Sequence, residues 1–360
     1  MGDDTRTLAP RTGIDGPPSV LRGPGLPGGG LPAPGLGPET APASSAASVA
    51  RLRPGLERHA PWVWVNGDFV KADELRVHYF THALHYGSGV FEGIRCYDTP
   101  AGPAVFRLRD HMERLLASAR VYGLNPGRAC ADLCAAALMT VARNRVRNAY
   151  IRPIVFFGEG PIHLTPSRRC PTEVFIAVRA LGAYLGDDGL SRGIKVILSS
   201  WTKFDRSMLP STVKGCGHYT NSILAAQEAA GRGAVEAILL NADGTVAEAT
   251  GENVFFVRDG ELITNDETSN ILPGITRDSV LALAAELGIP SRVRPFGPDD
   301  LLSADEIFLT GTAAEVTPVA AIGDHPVACP AGGVAARLQR AYFDCVRGLD
   351  PRHASWLSYA

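Results

Sequence analysis

The sequence predicts an α+β protein with mixed sheets, and three observations carry that reading. Short apolar or alternating strands follow one another through the tight-turn dipeptides Asn66-Gly67, Asp243-Gly244 and Asp259-Gly260, which suit the positive φ angles of hairpin bends. Runs with helical apolar spacing fall between groups of strands instead of after each one, so the chain does not read as a repeating βαβ series. Its 360 residues, 45% hydrophobic and 20% charged, are enough for two domains with cores of their own.

Residues 1–58 read as a disordered tail. The first 40 contain ten Gly and eight Pro, and no aromatic residue precedes Trp62, so little there can offset the entropy of ordering. Gly23, Gly25 and Gly28 match a dinucleotide-binding spacing, but Pro24 and Pro27 forbid the strand-to-helix turn it requires. A smaller α+β domain is expected over 59–179. It opens with a hairpin of Trp62–Val65 and Phe69–Val70, continues with helices over 110–122 and 133–146, and closes with strands over 150–157 and 173–178. The glycine-containing run 180–192 reads as a connector. A larger domain over 193–360 follows, with strands at 194–198, 237–240, 254–257, 262–264 and 307–310 and helices at 219–230, 277–287 and 334–346. No internal repeat is visible.

A formal net charge of −2 writes no general attraction to nucleic acid or anionic lipid into the composition. The chain has no apolar run of membrane-spanning length and no secretory leader pattern, so it reads as cytoplasmic. Seven scattered cysteines without a C-x-x-C pair suggest reduced, mostly buried thiols and neither a zinc nor a redox site. His78, His82 and His85 have spacings that one helix face could turn toward a metal. With aromatic and apolar neighbours and no nearby acid or thiol, they read as packed structure, so no metal is expected.

Only four of the 35 cations are lysines: Lys71, Lys195, Lys203 and Lys214. An amine can lose its proton when desolvated and attack a carbonyl, which a guanidinium cannot. Lys214 stands out because Gly215 and Gly217 admit a close ligand and an apolar helix follows. A lone loop lysine is ordinarily a surface residue, so its company decides. An aldehyde cofactor such as pyridoxal phosphate needs an acid at its ring nitrogen, a phenol at its ring oxygen and a cup for its phosphate. Glu248, Tyr219 and the helix start at Gly274, Ile275 and Thr276 are candidates for these, with Arg114 as the cation and Gly311-Thr312-Ala313 as a second cup. Taken alone, Glu248 could equally be an edge-strand acid and Thr276 an ordinary helix cap.

Together, HYGSGVFEGIR (85–95), AYIRP (149–153), VKGCGHYTNS, EATGENVFFV, LPGITRD and FLTGTAAEVTPV resemble the class-IV pyridoxal-phosphate aminotransferases, closest to the bacterial branched-chain enzymes. The motifs occur in the family's order from Trp62 to the last helix. The resemblance implies a two-domain fold-type IV enzyme with mixed sheets, a barrel-like larger domain and an active site at the domain interface. Lys214 would be the Schiff-base lysine and proton shuttle. Tyr219 would bond the ring oxygen, Glu248 the pyridine nitrogen, and Leu272 would pack on the ring. Arg114, Ile275, Thr276 and Thr312 would hold the phosphate. The substrate carboxylate would meet Tyr150 and the amides of Thr312 and Ala313, with Tyr86, Phe91 and Gly93 lining the side-chain pocket and Arg152 meeting an acidic side chain.

The implied reaction is ping-pong transamination through pyridoxamine phosphate. Leu, Ile and Val pass their amino group to 2-oxoglutarate, giving branched-chain 2-oxo acids and L-glutamate, in at least a homodimer whose partner loop completes each site. One departure concerns substrate choice: EGPIHLTPSRR (159–169) carries His163 and Leu164 where the family has a glycine-rich run. A histidine there adds bulk to a pocket that separates neighbouring alkyl groups by only about 1–3 kcal/mol. Aromatic or specialised amino acids therefore stay open as donors. So do a D-amino-acid or amine aminotransferase, an aminodeoxychorismate lyase and, from another class, a non-catalytic interaction protein.

Overall fold

The computed structural model describes residues 60–182 and 184–360; the tail read at 1–58 lies outside the described residues. Order begins with the expected hairpin. Strands β1 (Trp62–Val65) and β2 (Asp68–Lys71) pair antiparallel across Asn66 and Gly67, both at positive φ. After the short helix α1 (His82–Tyr86) come β3 (Gly89–Phe91), β4 (Ile94–Thr99), β5 (Gly102–Phe106), β6 (Ala149–Phe157) and β7 (Thr172–Ala180). Helices α2 (Leu108–Val121) and α3 (Cys130–Asn144) lie between β5 and β6. Their apolar stripes, including Met112, Leu115, Leu133 and Val141, share one core with Ile94, Val105, Ile151, Val155 and Ile176 of the strands. The α2 stripe is the one the helical spacing predicts at Met112, Leu115, Leu116 and Ala119, whereas Val121, which fits the same spacing, is exposed at the helix end.

The second half opens with α4 (Asp187–Arg192), so the latter part of the run read as a connector is helical. Strands β8 (Ile194–Thr202), β9 (Glu236–Leu240), β10 (Val246–Ala249), β11 (Asn253–Arg258), β12 (Glu261–Thr264), β13 (Ser291–Val293), β14 (Glu306–Gly311), β15 (Glu315–Ile322) and β16 (His325–Pro326) form a second sheet. Its order is β10-β9-β8-β15-β14-β11-β12-β13, with β16 on β15. The sheet is mixed, since β8 runs parallel to β9 and β15, and β12 to β13, while the remaining pairs are antiparallel. Helices α5 (Tyr219–Gly231), α6 (Ile275–Glu286), α7 (Pro298–Leu302) and α8 (Val334–Val346) connect or flank these strands. A last strand, β17 (Leu357–Tyr359), returns to the first sheet beside β5.

Strand β11, inside the second sheet between β14 and β12, is buried on both faces, which is why it reads as an apolar run without alternation. Phe255 of β11 and Phe308 of β14 face each other in register and stack with centroids 5.1 Å apart. No periodicity marks β4, because five of its six residues are buried, Arg95 among them. Pro318 argues against a strand at β15, yet it pairs with Phe308.

Burial of the thiols is less general than expected: Cys96, Cys170 and Cys345 are buried, Cys130, Cys134 and Cys216 are half-buried, and Cys329 is exposed. His78, His82 and His85 do not converge. They bond, respectively, the Glu159 carboxylate at 3.3 Å, Ser88 Oγ at 2.6 Å and the Tyr79 carbonyl at 2.8 Å. Elsewhere, potential ligand atoms of Cys345, Asp350 and His353 lie within 4.8 Å of one another. Arg352 donates to both Asp350 oxygens there, at 2.9 and 2.6 Å, and burial pushes the Cys345 thiol up to about 12, so the corner is an ion-pair cluster.

Candidate active site

The loop carrying Lys214 is pinned to the first sheet. Phe91 N donates to the Lys214 carbonyl at 3.1 Å, Val90 bridges Gly215, and Lys214 N donates to Ser118 Oγ at 3.2 Å. Gly215 is required by a close approach, since a Cβ there would lie 2.5 Å from Tyr122 Oη. The loop turns directly into α5, and that connection brings Tyr219 back onto the lysine: Lys214 Nζ donates to Tyr219 Oη at 2.7 Å. Burial, and after it the Arg114 guanidinium, lowers the pKa of Lys214. Burial, reinforced by Glu248, raises that of Tyr219. Both shifts favour the uncharged amine and phenol.

Two chambers meet at Lys214 and Tyr219. The first is lined among others by Arg114, Lys203, Glu248, Leu272, Ile275, Thr276 and Thr312. It thus brings together every residue expected at the cofactor. Ile275 and Thr276 open α6, where the first amides have no carbonyl four residues earlier in the helix to bond. Arg114 is held by Glu92, accepting at 2.6 and 2.9 Å, and donates to the Pro273 carbonyl at 2.8 Å. Burial opposes ionisation of Glu92, but Arg114 and His111 hold its carboxyl far below the usual range. Glu248 is oriented on three sides, by Lys203 Nζ at 2.6 Å, Leu272 N at 3.0 Å and Asn253 Nδ2 at 3.2 Å.

The second chamber is lined by Phe91, Gly93, Tyr150, Arg152, Ala313 and, with others, Arg179, Leu181 and Tyr184. Gly93 faces Tyr150 so closely that a Cβ would lie 1.8 Å from the phenolic oxygen; glycine is what lets that hydroxyl enter. Arg152 donates to Tyr150 Oη at 3.1 Å and its guanidinium lies 4.5 Å from the Phe91 ring centroid. The turn between β14 and β15 is held from behind by Arg95, which donates to the carbonyls of Thr312 at 3.1 Å and Ala313 at 2.7 Å and to Gly182 at 3.0 Å.

Tyr86, His163 and Leu164 are not brought to these chambers within one chain. They lie together elsewhere: His82 Nε2 contacts the His163 carbonyl at 2.9 Å and its ring lies 4.5 Å from that of Tyr86. Tyr79, Leu84, Tyr86, Ile162 and Leu164 are all exposed around them.

Sequence reasoning missed Lys203, Glu92, Arg95, Glu252 and Arg179. Lys203 carried a signal in being one of four lysines, and Glu92 and Arg95 stand inside a motif already singled out. Glu252 lines both chambers and hydrogen-bonds Glu236. Burial, and then Glu236, raises its pKa well above the ordinary carboxylate value. The folded state therefore binds this proton more tightly than the unfolded one, and stability falls as pH rises from the ordinary value toward the folded one. Glu252→Gln is expected to melt higher than the parent at pH 8, with the advantage shrinking toward pH 5. Equal differences at the two pH values would contradict this.

This arrangement defines a class of protein: the chain belongs to the amino-transferase class IV family, which it matches over residues 89–322. Within that family its relatives include the branched-chain-amino-acid aminotransferase of Escherichia coli (strain K12), 41% identical over 303 residues that make up 83% of this chain and 97% of that protein. The enzyme of the same name from Pseudomonas aeruginosa is 42% identical over 82% of this chain and 95% of its own length. Among solved structures, a T.th. branched-chain amino acid aminotransferase with pyridoxamine 5'-phosphate superposes with a TM-score of 0.80 and 44% identity, covering 83% of this chain and 98% of that one. The Escherichia coli branched-chain amino acid aminotransferase gives 0.81 and 41%, over 83% and 99%. The resemblance and the fold class expected from it are both borne out.

Proposed function

We propose that this chain is a pyridoxal-phosphate-dependent aminotransferase that moves the amino group of L-leucine, L-isoleucine and L-valine onto 2-oxoglutarate. The observation that carries the reading is Lys214 Nζ, 2.7 Å from Tyr219 Oη, at the junction of a phosphate-cupping chamber and a substrate chamber. The residues fit the cofactor. Thr310 Oγ1, buried in the first chamber's wall, has no partner among the described residues, and the α6 N-terminus opens there beside Arg114.

In this reading Ile275, Thr276, Thr312 and Arg114 hold the phosphate, Leu272 packs on the ring, Tyr219 bonds the ring oxygen and Glu248 the ring nitrogen. Bound there, pyridoxal phosphate supplies an aldehyde carbon for the incoming amine and a ring that accepts the electrons of the broken Cα–H bond. Lys214 Nζ would take the proton from the substrate's Cα and hold it for return from the same side. Burial and Arg114 lower its pKa, which favours the uncharged amine that can accept that proton. Tyr150 and the Thr312–Ala313 turn hold the substrate carboxylate, and Phe91, Gly93 and Arg152 border its side chain.

The active unit is a homodimer or larger homo-oligomer. The exposed apolar patch of Tyr79, Leu84, Tyr86, Ile162 and Leu164 supports docking on a second copy, where Tyr86, His163 and Leu164 close the partner's substrate chamber. The division into 59–179, 180–192 and 193–360 belongs to the same reading, with the cofactor between the two larger parts. Among the described residues no helix is long and apolar enough to cross a membrane, and a cytoplasmic place suits the substrates.

The test is a panel of amino donors with 2-oxoglutarate, product chirality being read by chromatography. L-Glutamate formed fastest from leucine, isoleucine and valine is the expected result. A D-amino acid product, or turnover confined to aromatic donors, would overturn the substrate assignment.

A further inference from the structure

We infer that Arg179 is a second specificity residue of the substrate chamber, acting beside Arg152 to receive the distal carboxylate of a dicarboxylate substrate. The inference rests on the reading of the chamber above and adds the residue that separates its acidic substrate from its alkyl ones.

In the antiparallel β6–β7 ladder, Tyr150 stands opposite Arg179 and Arg152 opposite Ala177. Side chains two residues apart on a strand share a face, and directly opposed residues share it too. Tyr150, Arg152, Ala177 and Arg179 therefore present one face, with the two arginines on a diagonal roughly 7–8 Å apart. All four line the substrate chamber. Both guanidinium groups line one chamber from one face of the sheet, so a single anion held there can meet both. A carboxylate matches two planar guanidinium forks better than it matches any other group in the chamber.

The carboxyl in the same wall does not oppose an incoming anion. Glu252 is the one carboxyl among the described lining residues, and burial against Glu236 holds it toward its neutral form. Ile154, Ala177 and Leu181 offer apolar surface in the same chamber, so a branched alkyl chain has a place that does not depend on Arg179. A substrate anchored by one carboxylate at Tyr150 and the Thr312–Ala313 turn would meet the two guanidinium groups only if it carried a second acid. That describes 2-oxoglutarate and glutamate and excludes the branched-chain partners.

The test compares 2-oxoglutarate with 4-methyl-2-oxopentanoate as acceptors for the pyridoxamine-phosphate form of the enzyme. Arg179→Gln is expected to lower kcat/KM for 2-oxoglutarate, relative to that for 4-methyl-2-oxopentanoate, by about tenfold, mostly through KM, as loss of a charged hydrogen bond does. Arg179→Lys should recover part of that ratio. A ratio changed by less than threefold, or equal losses with both acceptors, overturns the inference. A second measurement uses the unaltered enzyme: glutarate, but not 4-methylpentanoate, should slow phenylglyoxal modification of Arg179, followed by peptide mass spectrometry. Equal modification with and without glutarate also overturns it. If glutarate protects Arg179 while 4-methyl-2-oxopentanoate is not turned over at all, the branched-chain reading falls and the role of Arg179 stands.

Discussion

Replacing Lys214 by alanine is expected to lower transamination by at least about 10⁴-fold, the upper range for loss of a positioned proton-transfer group. In the proposed mechanism two roles end together, since the amine that would carry the aldehyde is also the base that would move the Cα proton. The fold should survive the change. The backbone contacts of residue 214, to Phe91 and Ser118, do not involve the side chain. Burial and Arg114 lower the lysine's pKa, so its charged form is penalised in the folded state at neutral pH, and alanine removes that penalty. Two measurements check this: single-turnover rates with leucine, and mass spectrometry after borohydride reduction, which should find the cofactor on residue 214 only in the parent. A variant that turned over within tenfold of the parent would remove the basis of the mechanism.

Glu92→Gln carries the largest expected effect on stability, a loss of roughly 3–5 kcal/mol, as when one partner of a buried ion pair is removed. Glu92 is fully buried and accepts from Arg114 twice and from His111 Nδ1 at 2.8 Å. A neutral amide leaves the Arg114 guanidinium buried without its counter-charge, so phosphate binding should weaken along with the fold. The pH dependence has a definite sign. Arg114 and His111 depress the carboxyl, so its stabilisation is complete above the ordinary value of 4.5 and is lost as pH falls below it. Melting temperatures from pH 7 to pH 3 should drop steeply for the parent below about 4.5. The variant should start lower and change less in that window, and parallel curves would count against the argument.

Much of the site was legible because its chemistry is local in the chain. Lys214 and Tyr219 are five residues apart, on a loop running straight into a helix, and Ile275 and Thr276 open a helix that glycine precedes. Such groupings survive in sequence because one turn of backbone suffices to assemble them. Glu92 and Arg95 gave no such sign, because what they do is decided by partners far along the chain: Arg114 for Glu92, and the carbonyls of Thr312 and Ala313 for Arg95. Helices α2, α3, α5, α6 and α8 were readable from apolar spacing. Strands β4 and β15 were not, since burial on both faces erased alternation in one and Pro318 argued against the other.

By itself the order of residues determined which amine, phenol and helix start were available, where the hairpins turn and which helix faces are apolar. Only the folded structure decided that Glu248 would be braced by Lys203, 45 positions away, and that the carboxyls of Glu236 and Glu252 would meet. It alone placed Arg152 and Arg179 across neighbouring strands to face one chamber. Nothing in the local backbone favours those pairings. They exist because two sheets must bury their faces, and burial then obliges each charge and hydrogen-bonding group to find a partner where it lies.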